Sequence, residues 1–302
     1  MSVYKLQAKN VRNTWLLIFL FIGLVSAVFY AFSWYLNSPA FAIFGLVLSL
    51  FQAFAAYFFG DSIALSVAGG VQVNEQQSPQ IHTMVENLSK IAGIPKPRIF
   101  ISPDQSANAF ACGRDPQHAS ICLNKGILDL LNKAELEGVI AHELSHIKNR
   151  DILIMTVTMV LTSIISFLSD IGTRALLFSG SNRDSDNRSN PVALILYFAV
   201  ILLAPIVSTI IAMAVSRSRE YLADATAVVI TRYPEGLIQA LEKLYQSPVP
   251  SQHYATSTSH FYIAPPKKQF GKQLQTLFST HPSIEDRVKA LRQESYTAEV
   301  VD

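Results

Sequence analysis

Long uncharged apolar runs alternate with polar, charged stretches along this chain. Thr14 to Leu36 carries no charged side chain, and neither does Ala40 to Phe59. Ile152 to Ser169 is a third run, diluted by Thr156, Thr158, Thr162, Ser163 and Ser166, and Pro191 to Ser216 is a fourth. Each is roughly 18 to 26 residues long, enough as a helix for the about 30 Å of hydrocarbon in a bilayer. A helix satisfies its own main-chain hydrogen bonds, so the pattern predicts four transmembrane helices arranged as two hairpins. The second run follows the first after only Asn37, Ser38 and Pro39, which favours a retained hairpin over a cleaved leader.

Between and after the runs the periodicity changes. Ile81, Val85, Leu88 and Ile91 fall on one face of a helix from Ser78 to Ala92, ended by Pro95 and Pro97. Arg98 to Ile101, Asn108 to Cys112 and Ser120 to Leu123 read as short strands, with a turn at 113–115. Asn132 and Glu135 have capping-box spacing, and Leu136, Val139, Ile140, Leu144 and Ile147 continue a long amphipathic helix towards the third run. Helices are predicted again over Arg219–Ile230, Pro234–Tyr245 and Ser283–Arg292, with a Pro-, Ser- and Gln-rich loop over Ser247–Lys272.

Composition agrees with the membrane reading. Half of the 302 residues are hydrophobic and only 15% are charged, against about 25% in soluble domains. With a mean hydropathy of +0.29, a wholly soluble globule and a disordered chain are both excluded. A net charge of +2 with no basic stripe argues against nucleic acid. Two cysteines, Cys112 and Cys122, are too few for a disulfide framework.

Lys and Arg near the helix ends set the expected orientation. Lys5, Lys9 and Arg12 precede the first run, and Lys90, Lys96, Arg98, Arg114, Lys125, Lys133, Lys148 and Arg150 lie between the second and third. The chain then divides into a cytoplasmic N-terminus (1–13), a transmembrane hairpin (14–59), a cytoplasmic part (60–151), a second hairpin (152–216) with a polar external loop (170–190), and a second cytoplasmic part (217–302). The external loop carries Arg174, Arg183 and Arg188, offset by Asp184 and Asp186.

His142-Glu143-Leu144-Ser145-His146 places two imidazoles one turn apart on one helix face, where they can share a Zn²⁺, with Glu143 in reach of water on that ion. A catalytic zinc needs a third protein ligand. Glu220 is the candidate, with Asp224 one turn on to accept the outer N–H of a zinc-bound imidazole. His146 and Glu220 each lie roughly 6–9 Å from the membrane boundary at 1.5 Å per residue, and two crossings between them return the chain to one side. The other histidines (His82, His118, His253, His260) lack partner spacing. His281, just ahead of the helix bearing Arg287, suits either a structural role or a donor near the reacting groups.

These residues resemble the HtpX membrane metalloproteases, relatives of the CAAX prenyl endopeptidases. The likeness runs over nearly the whole chain: Asn108-Ala109-Phe110, A-H-E-L-S-H at 141–146 followed by Lys148-Asn149-Arg150-Asp151, S-R-E-Y-L-A-D-A at 218–225, and T-H-P-S at 280–283 ahead of Arg287. The resemblance implies a mainly α chain of four transmembrane helices with a cytoplasmic gluzincin-type α+β zinc metallopeptidase domain carrying a small β-sheet. It implies one Zn²⁺ on His142, His146 and Glu220, Glu143 as catalytic base, Asn108 to Phe110 as an edge strand for an extended substrate, and His281 and Arg287 as holders of substrate or oxyanion. It further implies a bacterial inner-membrane endopeptidase acting at the cytoplasmic face on misfolded or damaged membrane proteins in stress quality control. A prenyl-protein endopeptidase and a non-enzymatic scaffold are the alternatives. Cys112 departs from the Thr expected in many relatives. Oligomeric state is not encoded in any of these features.

Overall fold

The computed structural model describes residues 3–35, 37–161, 217–246 and 282–299. Helices dominate. In chain order they are α1 (Val3–Tyr35), α2 (Ala40–Val67), α3 (Pro79–Ala92), α4 (Lys125–Leu130), α5 (Lys133–Lys148), α6 (Ile152–Leu161), α7 (Arg217–Thr231), α8 (Pro234–Gln246) and α9 (Ile284–Glu299). Four strands, β1 (Val71–Gln72), β2 (Arg98–Ser102), β3 (Ala109–Gly113) and β4 (Ala119–Asn124), form one mixed sheet in the order β1-β2-β4-β3. β2 runs parallel to β4, and β3 antiparallel to it.

Helices α1 and α2 form the first predicted hairpin, and both are long and apolar enough to cross a bilayer. They pack along small residues. A side chain at Gly45 would collide with Phe29, and Ser26 and Ser49 hydroxyls meet at 3.2 Å. Both helices outrun the apolar windows. α1 starts at Val3, and α2 continues past Phe59 to Val67, carrying Asp61 to an ion pair with Arg98 of β2. The third predicted span begins at Ile152 as α6, whose ten described residues are all buried. Its remainder, the 170–190 loop, the fourth run, the 247–272 loop and His281 lie outside the described residues.

The sheet separates two apolar cores because alternate strand residues point to opposite faces. Ile99, Ala109, Ala111, Ile121 and Leu123 join α3, α5, α7, α8 and α9. Phe110, Cys112 and Cys122 instead join Leu17 and Phe21 of α1, Ala56 of α2 and Ile154 of α6. The sheet is thus built directly onto α1, α2 and α6. Two sequence expectations change. On α3 the buried face runs through Met84, Val85, Leu88 and Ala92, leaving Ile91 at 62% exposed, one position off the predicted stripe. And α5 has no solvated face: between Leu136 and Ile147 only Glu137 escapes burial, so its polar side faces a buried polar cluster.

Candidate metal centre

Helix α5 is fixed first at its start. Asn132 accepts from the Glu135 N–H at 3.0 Å and Glu135 returns a bond to the Asn132 N–H at 2.9 Å, the predicted capping box. Lys243 of α8 reaches Glu135 at 2.8 Å. Gly138 allows α8 to come so close that a side chain there would meet the Leu237 nitrogen at 2.7 Å. One turn further on, His142 and His146 face α7.

The predicted ligand set converges. The Nε2 atoms of His142 and His146 lie 3.2 Å apart, and the two oxygens of Glu220 lie 3.7 and 3.8 Å from them. Candidate ligand atoms of all three residues fall within 4.8 Å of one another. Each ring is held from behind. His142 Nδ1 is 2.9 Å from Asp224 Oδ1, and His146 Nδ1 is 3.0 Å from Asp151 Oδ2. A neutral ring that gives its Nδ1 hydrogen to such a carboxylate turns an Nε2 lone pair towards the space shared with Glu220. Two ligands about 2.0–2.1 Å from one tetrahedral ion stand about 3.3 Å apart, close to the spacing found.

Charge argues the same way. Glu143, Asp151, Glu220 and Asp224 are buried carboxylates, and Arg219 and Arg287 are buried guanidiniums. Among the described residues, carboxylates thus outnumber guanidiniums in this buried site, an excess that a bound cation, or protons on Glu143 and His146, would offset. Burial, with Glu220 beside it, pushes the Glu143 carboxyl up to about 8. Burial alone would lower the His146 pKa, but the carboxylates of Asp151, Glu220 and Glu143 outweigh it and raise it to about 10. His142 moves down, through burial and then the Arg287 charge.

On the sheet side, the Ala111 N–H acts on the Glu143 carboxylate and offsets part of its upward shift. Asn124 N–H donates to Asn108 O at 2.9 Å, so the antiparallel ladder turns Asn108, Phe110 and Cys112 towards β4. Ala109, Ala111 and Gly113 turn their main chain outwards, and the Gly113 N–H donates to the Thr156 hydroxyl of α6 at 3.1 Å. The predicted N-A-F stretch is therefore the start of an edge strand whose outer side touches Glu143.

Arg287 is fully buried and donates to Asp224 twice, Nε to Oδ2 at 2.8 Å and Nη2 to Oδ1 at 2.6 Å. Its Nη1 is 3.6 Å from Glu220. Four residues before it, Ser283 accepts from the Asp286 N–H and starts α9. Sequence reasoning missed Asp151 and Arg219. Asp151 ends the Asn149-Arg150-Asp151 turn, a run of helix-ending residues directly after the second histidine, which was the available signal. Arg219, beside the predicted ligand, acts electrostatically on Asp151 and Glu220.

Comparison with known proteins agrees with this geometry. The profile described as Peptidase family M48 matches residues 75–295. A protease HtpX homolog of Caldanaerobacter subterraneus subsp. tengcongensis is 43% identical over 295 residues, covering 96% of this chain and 97% of that one. One of Streptococcus gordonii is 40% identical over 291 residues, covering 94% and 97%. The crystal structure of S. mikatae Ste24p shares the fold with a TM-score of 0.54 at 19% identity, over 95% of this chain and 67% of that one. A buried His-His-Glu cluster shared by α5 and α7, and a family profile over most of the sequence, lead to one assignment: the chain belongs to peptidase family M48, among the metalloendopeptidases of the HtpX type.

Proposed function

We propose that this metalloprotease is a zinc enzyme that cuts misfolded or damaged membrane proteins beside the cytoplasmic face of a bacterial inner membrane. His142, His146 and Glu220 would hold the ion, and Glu143 would serve as general base. The observation that carries this is the buried convergence of two imidazole Nε2 atoms and the Glu220 carboxylate next to Glu143. When bound, zinc supplies a Lewis acid that lowers the pKa of water towards 7 and polarises a peptide carbonyl.

The protein's own groups do the remainder. Burial raises the proton affinity of Glu143, so it can take a proton from the attacking water and hand it to the leaving amine. Asp151 and Asp224 hold the Nδ1 hydrogens and keep the Nε2 lone pairs directed inwards. Arg287 spends its guanidinium on Asp224 and Glu220, which supports a positioning role; His281 is then the candidate to steady the oxyanion. An extended substrate would add as a strand along the outer edge of the Asn108–Phe110 stretch, where Ala109 turns its main chain outwards. The Lys and Arg distribution supports termini and site on the cytoplasmic side, with four crossings. The sheet's packing onto α1, α2 and α6 supports a site next to the bilayer and favours membrane-protein substrates.

The test is Glu143→Gln in the purified full-length protein. It should retain zinc and lose at least about 100-fold in cleavage of an unfolded membrane protein. Undiminished cleavage would remove Glu143 from the chemistry. Preference for a lipidated C-terminal peptide would redirect the substrate class.

A further inference from the structure

We propose that Gln7 and Asn10 of α1 are positioning residues for His146: they pin the turn that presents Asp151 to its imidazole. This rests on the reading of His146 as a metal ligand.

A helix ends with carbonyls that have no partner within it. At the end of α5 two of the following carbonyls are bonded from far away in the chain. Gln7 Nε2 donates to Lys148 O at 2.8 Å, and Asn10 Nδ2 donates to Asn149 O at 3.2 Å. Asn10, Asn149 and Asp151 are all buried. Water therefore cannot readily replace the Asn10 bond, and losing it would leave a buried carbonyl unsatisfied.

The turn so held is a specific one. Arg150 takes a left-handed conformation with φ 56, which reverses the chain. The Arg150 N–H then donates to Ile147 O at 3.2 Å, and the Asp151 N–H to His146 O at 3.3 Å. Asp151 is thus bonded by its main chain to the residue whose ring its carboxylate holds. A shift of this turn moves Oδ2 relative to Nδ1, and with it the direction of the His146 lone pair.

Helix α1 is itself fixed. Gln7, Asn10 and Thr14 lie on one face, and Leu17 and Phe21 extend that face into the apolar core shared with Leu153, Ile154 and Val157 of α6. Because α6 starts immediately after Asp151, the same bilayer-type helix grips the chain on both sides of the turn. The metal centre is then supported by a helix that contributes nothing to its chemistry, and α1 is part of the site's framework as well as an anchor.

The experiment measures zinc affinity by chelator competition on the full-length protein in lipid nanodiscs. The variants are Asn10→Ala, Asp151→Asn and Asp224→Asn, with both double variants containing Asn10→Ala. Asn10→Ala should weaken zinc about 3- to 10-fold. It should cost nothing further on top of Asp151→Asn, because the link it acts through is already gone. On top of Asp224→Asn, which concerns the other imidazole, the full loss should reappear. Leu88→Ala, in the core on the other face of the sheet, should lower the unfolding temperature and leave zinc affinity within about twofold. Unchanged affinity in Asn10→Ala, equal further losses in both backgrounds, or a matching loss in Leu88→Ala would each overturn the proposal. A wild-type protein that binds no zinc would instead reject the ligand assignment itself.

Discussion

Arg287 and Asp224 meet through two short hydrogen bonds, 2.8 and 2.6 Å, in a place with no access to water. A paired buried charge is costly to break because its partner is left unpaired. Arg287→Ala should therefore destabilise the protein by about 3–5 kcal/mol and weaken zinc binding through the released Asp224. Arg287→Lys keeps the charge without the two-pronged geometry and should fall between. Thermal unfolding and chelator competition on the three proteins read this out. A fully stable Arg287→Ala that loses only turnover would place the guanidinium on the substrate instead.

The two imidazoles have separate supports, so their supports should fail separately. Asp151→Asn and Asp224→Asn should each lower zinc affinity by about 10- to 100-fold. The double variant should approach the product of the two losses, because the carboxylates hold different rings. Chelator titration measures all three. Loss of zinc in only one variant would show that a single ring carries the ion.

Much of this arrangement is written in local sequence. The capping box at Asn132 and Glu135, the four-residue histidine spacing and the Glu220–Asp224 pair are helix-period features, and each appears where that period places it. Residues that act across elements were harder to see. Asp151 reaches His146 only because Arg150 reverses the chain, and Gln7 bonds Lys148 only because α1 lies against the end of α5. The parallel pairing of β2 with β4 escaped for a similar reason, since strand order depends on the crossover and not on alternation within a strand. The resemblance assigns Arg287 to substrate or oxyanion, and nothing in the sequence shows that its head group faces Asp224 from inside the core.

The close approach of α5 and α8 depends on Gly138. Its missing side chain is replaced by Leu237 main chain, which has no rotamer to yield. Gly138→Ala should cost about 1–3 kcal/mol of stability, measured by thermal or denaturant unfolding. Zinc stoichiometry should survive, because Gly138 lies a full turn before His142. An unchanged midpoint would show that α8 moves away freely.

Topology can be read with a thiol probe because the native cysteines are silent. Cys112 and Cys122 are fully buried, and burial raises both pKa values, that of Cys122 to about 12, so neither carries thiolate at neutral pH. Ser185→Cys, in the polar loop expected outside, should react with a membrane-impermeant maleimide on intact cells while wild type does not. Labelling of Ser185→Cys only after permeabilisation would invert the orientation or change the number of crossings.

The central claim is that Glu220 shares one ion with His142 and His146. Metal analysis of purified full-length wild type and Glu220→Ala, paired with a cleavage assay with and without chelator, tests it most directly. The expected result is about one zinc per wild-type chain, little in Glu220→Ala, and cleavage lost on chelation and restored by zinc. Full zinc occupancy in Glu220→Ala, or cleavage indifferent to the chelator, would contradict it.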